Sequence, residues 1–246
     1  MANWRPLRLL VAALLLPVAI QGCVSGAHGW ADGWQSADWS STGRLPAAAT
    51  VQEPVVQVWS ARTGRWKGIV ATHSWLVLKD EDAPTWRRYD VLGWGTPVRE
   101  DHRAPDARWY GNDPEIVAEL RGPEAARALP VIEAAIAAYP YRAAGSYRVW
   151  PGPNSNPFVQ TAIAGVPELA GRLPPTAIGK DFRADGSLAG LTPSGTGVQL
   201  SAWGALGLTV AWVEGFELNV VGLVIGFDVR RPALKLPGIG RVPGSR

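Results

Sequence analysis

Short stretches dominated by apolar residues, separated by polar and turn residues, recur in the first half of the folded chain and predict β-strands. Residues 55–62, 68–80 and 86–94 are rich in Val, Leu and aromatic side chains, as strands are. The turn residue Gly64 separates the first two stretches, so we expect them to form a hairpin. Residues 95–114 are polar and irregular and predict loops.

The C-terminal third carries the longest apolar stretches. Residues 198–213 hold no charged side chain, and residues 218–229 are apolar again after the segment E-G-F-E at 214–217. Both stretches are shorter than the roughly 20 residues that a membrane-spanning helix needs, and they are dense in Val, Leu and Gly. They therefore predict buried β-strands, with a membrane-embedded hairpin as the alternative.

Helices are predicted between these two strand regions. Residues 114–120 and 123–140 are rich in Ala and Glu, although Pro130 would kink or split the longer segment. Residues 147–150 predict a short strand, and residues 158–166 predict a further helix. The fold class expected is α+β, with one antiparallel sheet built from 55–94 and the C-terminal strands and a few helices packed on it.

The N-terminus has the pattern of an export signal. Arg5 and Arg8 precede an apolar run from Leu9 to Ile20, and the segment ends in Gly22-Cys23. This ending resembles the bacterial lipobox, which implies cleavage before Cys23 and lipidation of that residue. An ordinary secretory signal or an uncleaved anchor with an incidental cysteine is the alternative.

This interpretation divides the chain into three parts. Residues 1–22 are the signal peptide, residues 23–50 are the lipidated N-terminus and a flexible tether, and residues 51–246 form a single globular domain. The expected location is the bacterial cell envelope, on the periplasmic side, with the membrane as partner through the lipid. The tether contains three tryptophans that either rest on the membrane interface or dock on the domain: Trp30, Trp34 and Trp39.

Charge and cysteine content exclude several classes of function. The chain has 24 basic and 21 acidic residues, and loss of Arg5 and Arg8 with the signal leaves 22 basic residues, so no nucleic-acid partner is expected. Cys23 is the only cysteine, which excludes an intramolecular disulfide, a cysteine zinc site and a cysteine nucleophile in the folded domain. No metal or cofactor motif is recognisable.

Two sites carry residues suited to catalysis. His73 lies within an apolar predicted strand, where it is either a buried structural residue or a base held rigidly for catalysis. Asn154, Ser155 and Asn156 precede Pro157 at the start of a predicted helix, where all three side chains suit an N-cap. A nucleophile at this point would lie near free N–H groups that stabilise negative charge.

The order of these elements resembles the permuted papain-like fold of NlpC/P60-type and lecithin:retinol acyltransferase-like proteins. The resemblance rests on a strand histidine followed by Asn154–Val159 at a helix start, with Ser155 where those families have cysteine. It implies a hydrolase or acyltransferase acting on a cell-wall or lipid substrate. Ser155 would be the nucleophile beside Asn154, His73 the base, and Asp90 the residue that orients it, with Tyr89 as the alternative.

A second resemblance covers most of the mature chain. The strings HSWLVLK, YRVWPGPNSNPF, PPTAIGKDF, PSGTGVQLS and RRPALKLPGIGRV are similar to the uncharacterised bacterial family DUF3750. That family implies no activity. Lys180 and Asp181, in the third string, are candidates for lining a site. The competing functional hypothesis is a non-catalytic binding or scaffolding lipoprotein, in which the 13 tryptophans fill the core or form a platform for envelope glycans.

Overall fold

The computed structural model describes residues 4–28 and 33–244. Its described part confirms the α+β class and contains two antiparallel sheets and three α-helices. The helices are α1 (Arg5–His28), α2 (Gly122–Ala137) and α3 (Ser155–Ile163). The strands are β1 (Val55–Arg62), β2 (Thr72–Lys79), β3 (Arg87–Val91), β4 (Val98–Glu100), β5 (Glu115–Arg121), β6 (Ala189–Leu191), β7 (Gly197–Ala202), β8 (Leu206–Ala211), β9 (Gly215–Val220), β10 (Leu223–Asp228), β11 (Ala233–Leu236) and β12 (Gly240–Val242).

The first sheet is buried on both faces. Its strand order is β4-β3-β2-β1-β5, and β1 and β2 pair as the predicted hairpin, with a 3-10 helix at Arg65–Ile69 between them. One face carries Leu76 and Leu78 and packs on α2 and α3. The other face carries Trp59 and Trp75 and forms a second apolar cluster. Because side chains alternate along a strand, β2 contributes to both clusters.

The segment expected to be a flexible tether is packed on this second face where the structure describes it. Trp34 and Trp39 lie against Trp109, with ring centroids 6.4 and 5.1 Å away, so these two tryptophans dock on the domain. The hydroxyl of Ser41 and the backbone N–H of Arg44 donate to the carboxylate of Asp106. Trp30 lies outside the described residues.

The second sheet is a seven-stranded meander in which every strand pairs with its sequence neighbours, from β6 to β12. On strands β7 and β8 the apolar side chains point towards solvent and the polar side chains between them point inward. The apolar residues Val198, Leu200 and Val210 are about half exposed, while Gln199 and Thr209 between them are buried. The strands predicted from the apolar C-terminal third are therefore present, but the prediction that their apolar side chains are buried is wrong for this outer face.

Three other sequence expectations are corrected. Residues 114–120, expected to be helical, form β5, because alternating side chains let this segment pair with β1 at the edge of the first sheet. Residues 147–150 form a loop and not a strand. The strands of 55–94 and of the C-terminal region belong to two sheets and not to one.

Helix α1 is longer than the apolar run that the sequence suggested. Residues 5–26 are long and apolar enough to cross a membrane, although a signal sequence passes the same test. The helix buries Leu14 and Pro17 and contacts β10 and the 3-10 helix at Arg65–Ile69. Cys23 is exposed within α1.

Candidate functional site

His73 and Asp90 lie together on adjacent strands of the first sheet. The Nε2 atom of His73 is 3.6 Å from Oδ2 of Asp90, and the same carboxylate oxygen accepts a hydrogen bond from Arg88 at 2.9 Å. The imidazole stacks on Trp109 with ring centroids 3.7 Å apart, and it is 5% exposed. The pair is therefore enclosed within an aromatic cluster.

Burial and neighbouring charges together determine the charge states of this pair. Loss of hydration lowers the pKa of His73, and the nearby Asp90 carboxylate opposes this shift without reversing it. Burial alone would raise the pKa of Asp90, but interactions with His73 and with the Arg88 guanidinium lower it. A neutral imidazole beside an ionised Asp90–Arg88 pair is the expected state at neutral pH.

Ser155 lies on the opposite face of the first sheet from His73. It is the first residue of α3, whose Phe158 and Val159 pack with Leu76, whereas His73 lies with Trp109 in the other cluster. Among the described side chains, no hydrogen bond joins Ser155 to His73. The structure thus brings together His73 and Asp90 but does not bring the predicted nucleophile to them.

The start of α3 is held by amides rather than by the serine. The side chain of Asn154 accepts from the backbone N–H of Asn156 at 2.9 Å and donates to the carbonyls of Val149 and Ile178. Asn156 donates to the carbonyl of Thr72, which ties α3 to β2. Gly179 has φ +91° and lies so close that a Cβ there would come within 2.7 Å of the Asn154 amide nitrogen. Asn154 is therefore the N-cap.

The other sequence candidates lie elsewhere. Tyr89 packs against the α2–α3 cluster and donates from its hydroxyl to Glu100. Lys180 and Asp181 lie beneath the second sheet, where Lys180 contacts Asp181 and Glu217, and Lys235 contacts Glu217 from the other side. Asn219 donates to Asp181 at 2.7 Å. These buried groups are joined to one another in a closed ionic network.

A large cleft lies between the two sheets. Its volume is about 1200 Å³, which is enough for a ligand of substantial size. Its lining includes Ser60 and Thr72 from the first sheet, the loop 167–176, and residues from the second sheet. The hydroxyl of Thr72 is buried and has no hydrogen-bond partner among the described residues.

The cleft has an excess of positive charge. Seven basic and four acidic side chains line it. Arg241 pairs with Asp228 and Arg44 with Asp113, but within the described part of the chain the guanidinium groups of Arg230 and Arg231 make no hydrogen bond. The basic lining residues are Arg44, Arg62, Arg172, Arg230, Arg231, Lys235 and Arg241.

No local sequence pattern indicates this cleft directly. Its basic residues come from segments far apart in the chain, and only the adjacent pair Arg230-Arg231 forms a local signal. Arg62 links the two sides of the cleft, because its guanidinium donates to the carbonyl of Gly68 near the first sheet and to the carbonyl of Gly238 near the second. Burial lowers the pKa of Arg62. Within the described residues, no group of three or more His, Cys, Asp or Glu side chains is placed to hold a metal ion.

Part of the chain matches a known protein family. Residues 53–182, just over half of the chain, match the family described as a protein of unknown function (DUF3750). This confirms the resemblance to that family for these residues, while the papain-like resemblance receives no support. The strings PSGTGVQLS and RRPALKLPGIGRV lie beyond the matched region. No curated protein matches the chain, and no solved structure matches it.

Proposed function

We propose a function for this chain on the premise that it belongs to the DUF3750 family, whose description assigns no activity. The proposal is a non-catalytic binding protein of the bacterial envelope, attached to the membrane through its N-terminus. Its ligand carries a phosphate group and binds in the cleft between the two sheets. The observation that carries the proposal is the excess of arginine in a cleft of about 1200 Å³.

Arginine suits this ligand class for a geometric reason. The planar guanidinium group presents paired N–H donors that match the oxygens of a phosphate. Arg230 and Arg231 keep these donors free among the described residues, and Arg172 uses only its Nε, which donates to the carbonyl of Glu168. Thr72 adds a buried hydroxyl without a partner at the cleft wall.

Membrane attachment rests on the N-terminal pattern. Two arginines, an apolar helix and Gly22-Cys23 suit processing to a lipoprotein, and Cys23 is exposed for modification. The hydrolase or acyltransferase hypothesis has less support, because Ser155 and His73 lie on opposite faces of the first sheet. Reaction of Ser155 with a fluorophosphonate would revive it.

Calorimetry on the full chain tests ligand binding, with two phosphate sources in separate arms. One arm uses inorganic phosphate, and the other uses dihexanoyl phosphatidic acid as a soluble lipid headgroup. We expect the double variant Arg172→Ala/Arg231→Ala to weaken binding about tenfold or more. The matched control is Arg127→Ala, which removes an exposed arginine from α2, away from the cleft.

Each outcome is informative. Binding in both arms identifies the phosphate group itself as the determinant, and binding in the lipid arm alone identifies a headgroup. No binding in either arm, or equal weakening by Arg127→Ala, overturns the proposal.

A further inference from the structure

The outer face of the second sheet is apolar across its whole width. The registers place apolar side chains side by side on successive strands, as in Val198–Val210, Val210–Phe216 and Phe216–Phe227. Leu200, Leu208, Leu218 and Ile225 form a parallel row one step along the strands. On strands β7 to β10 no charged residue alternates onto this face.

The opposite face explains why the sheet has this orientation. Glu217 alternates inward and contacts both Lys180 and Lys235, and Gln199 and Asn219 turn inward to Asp181. Because side chains alternate along each strand, burying these groups forces the neighbouring apolar residues outward. The exposed apolar face is therefore a fixed property of the sheet. Isolated exposed apolar residues are ordinary, but a continuous face of this extent marks an interaction surface.

We propose that this outer face contacts a lipid surface. The first reason is its proximity to the N-terminal membrane segment: α1 is apolar, long enough to cross a membrane, and contacts β10 of this same sheet. If the chain is instead cleaved before Cys23, nine residues lie between the lipidated Cys23 and Gly33, just before the packed Trp34. The ten Cα–Cα steps from Cys23 to Gly33 reach at most about 35 Å, so the cleaved and lipidated chain also keeps the domain close to the membrane.

The border of the face provides the second reason. Trp203 lies in the turn after β7 and Trp212 in the turn after β8, at opposite ends of the strands, and both are more than 60% exposed. Trp150 is half exposed and donates from its indole N–H to the carbonyl of Val221, in the turn between β9 and β10. Tryptophan favours the boundary between headgroups and acyl chains, because its ring is apolar and its N–H is polar.

A fluorescent label on the sheet tests this proposal independently of the cleft. Val210→Cys and Val131→Cys are matched, since both residues are exposed valines, one on the outer face and one on α2. Each is made in the full chain with Cys23→Ser, so that the label is unique and α1 remains as the anchor. The protein carries the polarity-sensitive dye NBD and is reconstituted in vesicles of phosphatidylethanolamine and phosphatidylglycerol, with or without doxyl-labelled lipid.

We expect the label at position 210 to emit at shorter wavelength and to be quenched by doxyl lipid about twofold or more beyond the label at 131. Equal quenching at the two positions, or none at 210, overturns the proposal. A second copy of the chain on this face would instead shield the label at 210 from doxyl lipid. It would also produce energy transfer between labelled copies, and that result also overturns the proposal.

Discussion

The two sheets of this protein bury different kinds of side chain. The first sheet hides apolar side chains on both faces, with Leu76 towards α2 and α3 and Trp75 towards the docked N-terminal segment. The second sheet hides an ionic network and leaves its apolar side chains outside. The first is stabilised as an ordinary buried core, whereas the apolar outer face of the second stays exposed within the part of the chain that the structure describes.

The largest expected effect lies in the buried network under the second sheet. Lys180→Met removes a cation whose side chain is only 9% exposed. The buried carboxylates of Glu217 and Asp181 then lose the positive charge that both of them contact. Breaking one partner out of such a buried pair costs about 3–5 kcal/mol of unfolding free energy. Denaturant unfolding of the full chain measures the loss.

The matched control for this change is Arg121→Met. Arg121 pairs with Glu53 on the surface, where both side chains are nearly half exposed, so the loss should stay below about 1 kcal/mol. Equal losses in the two variants would contradict the distinction between a buried and a solvated pair.

Acid provides a second measurement of the same network. Burial alone would raise the pKa of Glu217, but Lys180 and Lys235 outweigh burial and lower that pKa to about 2. The ionised carboxylate therefore contributes stability that is complete above its ordinary value of 4.5 and is lost as pH falls from there towards 2. In Lys180→Met one of the two cations is gone, so the pKa of Glu217 is lowered less, and the loss of stability in acid should be smaller and confined to a narrower pH range below 4.5. An unchanged acid profile in the variant would count against the network.

Truncating one leucine in each sheet tests the comparison directly. Leu76 is fully buried in the first sheet, so Leu76→Ala should lower the unfolding free energy by about 3 kcal/mol through lost burial and a cavity. Leu200 is 52% exposed on the outer face, so Leu200→Ala should change it by less than about 0.5 kcal/mol in lipid-free solution. A large loss at Leu200 would mean that the outer face is covered within the chain itself.

Local sequence patterns predicted which segments form strands and helices more reliably than they predicted which face of each element is buried. The strand at 55–62 follows from strand-favouring composition and the helix start at Asn154–Pro157 from capping chemistry, and both lie where they were expected. The segment at 114–120 has helix-favouring residues, but pairing with β1 outweighs that preference.

Orientation depends on contacts between distant residues. The alternation Val198-Gln199-Leu200-Ser201 is visible in the sequence, yet only the position of Lys180 and Asp181 beneath the sheet determines which set points inward. The same holds for His73 and Ser155. The chain order of their elements suggested that the two side chains meet, but chain order carries no information about which face of the sheet each side chain occupies.

The smallest expected effects separate the two residues at the start of α3. Asn154→Ala removes the cap on Asn156 and the bonds to Val149 and Ile178, so it should cost about 1–2 kcal/mol of unfolding free energy. Among the described contacts Ser155 makes no side-chain hydrogen bond, so Ser155→Ala should change stability by less than about 0.5 kcal/mol and leave phosphate binding unaltered. Thermal unfolding and the calorimetric titration described above measure the two quantities. If Ser155→Ala abolished reaction with a fluorophosphonate while the unfolding free energy stayed constant, Ser155 would be a functional group. That result would support the catalytic hypothesis, with Ser155 as the nucleophile.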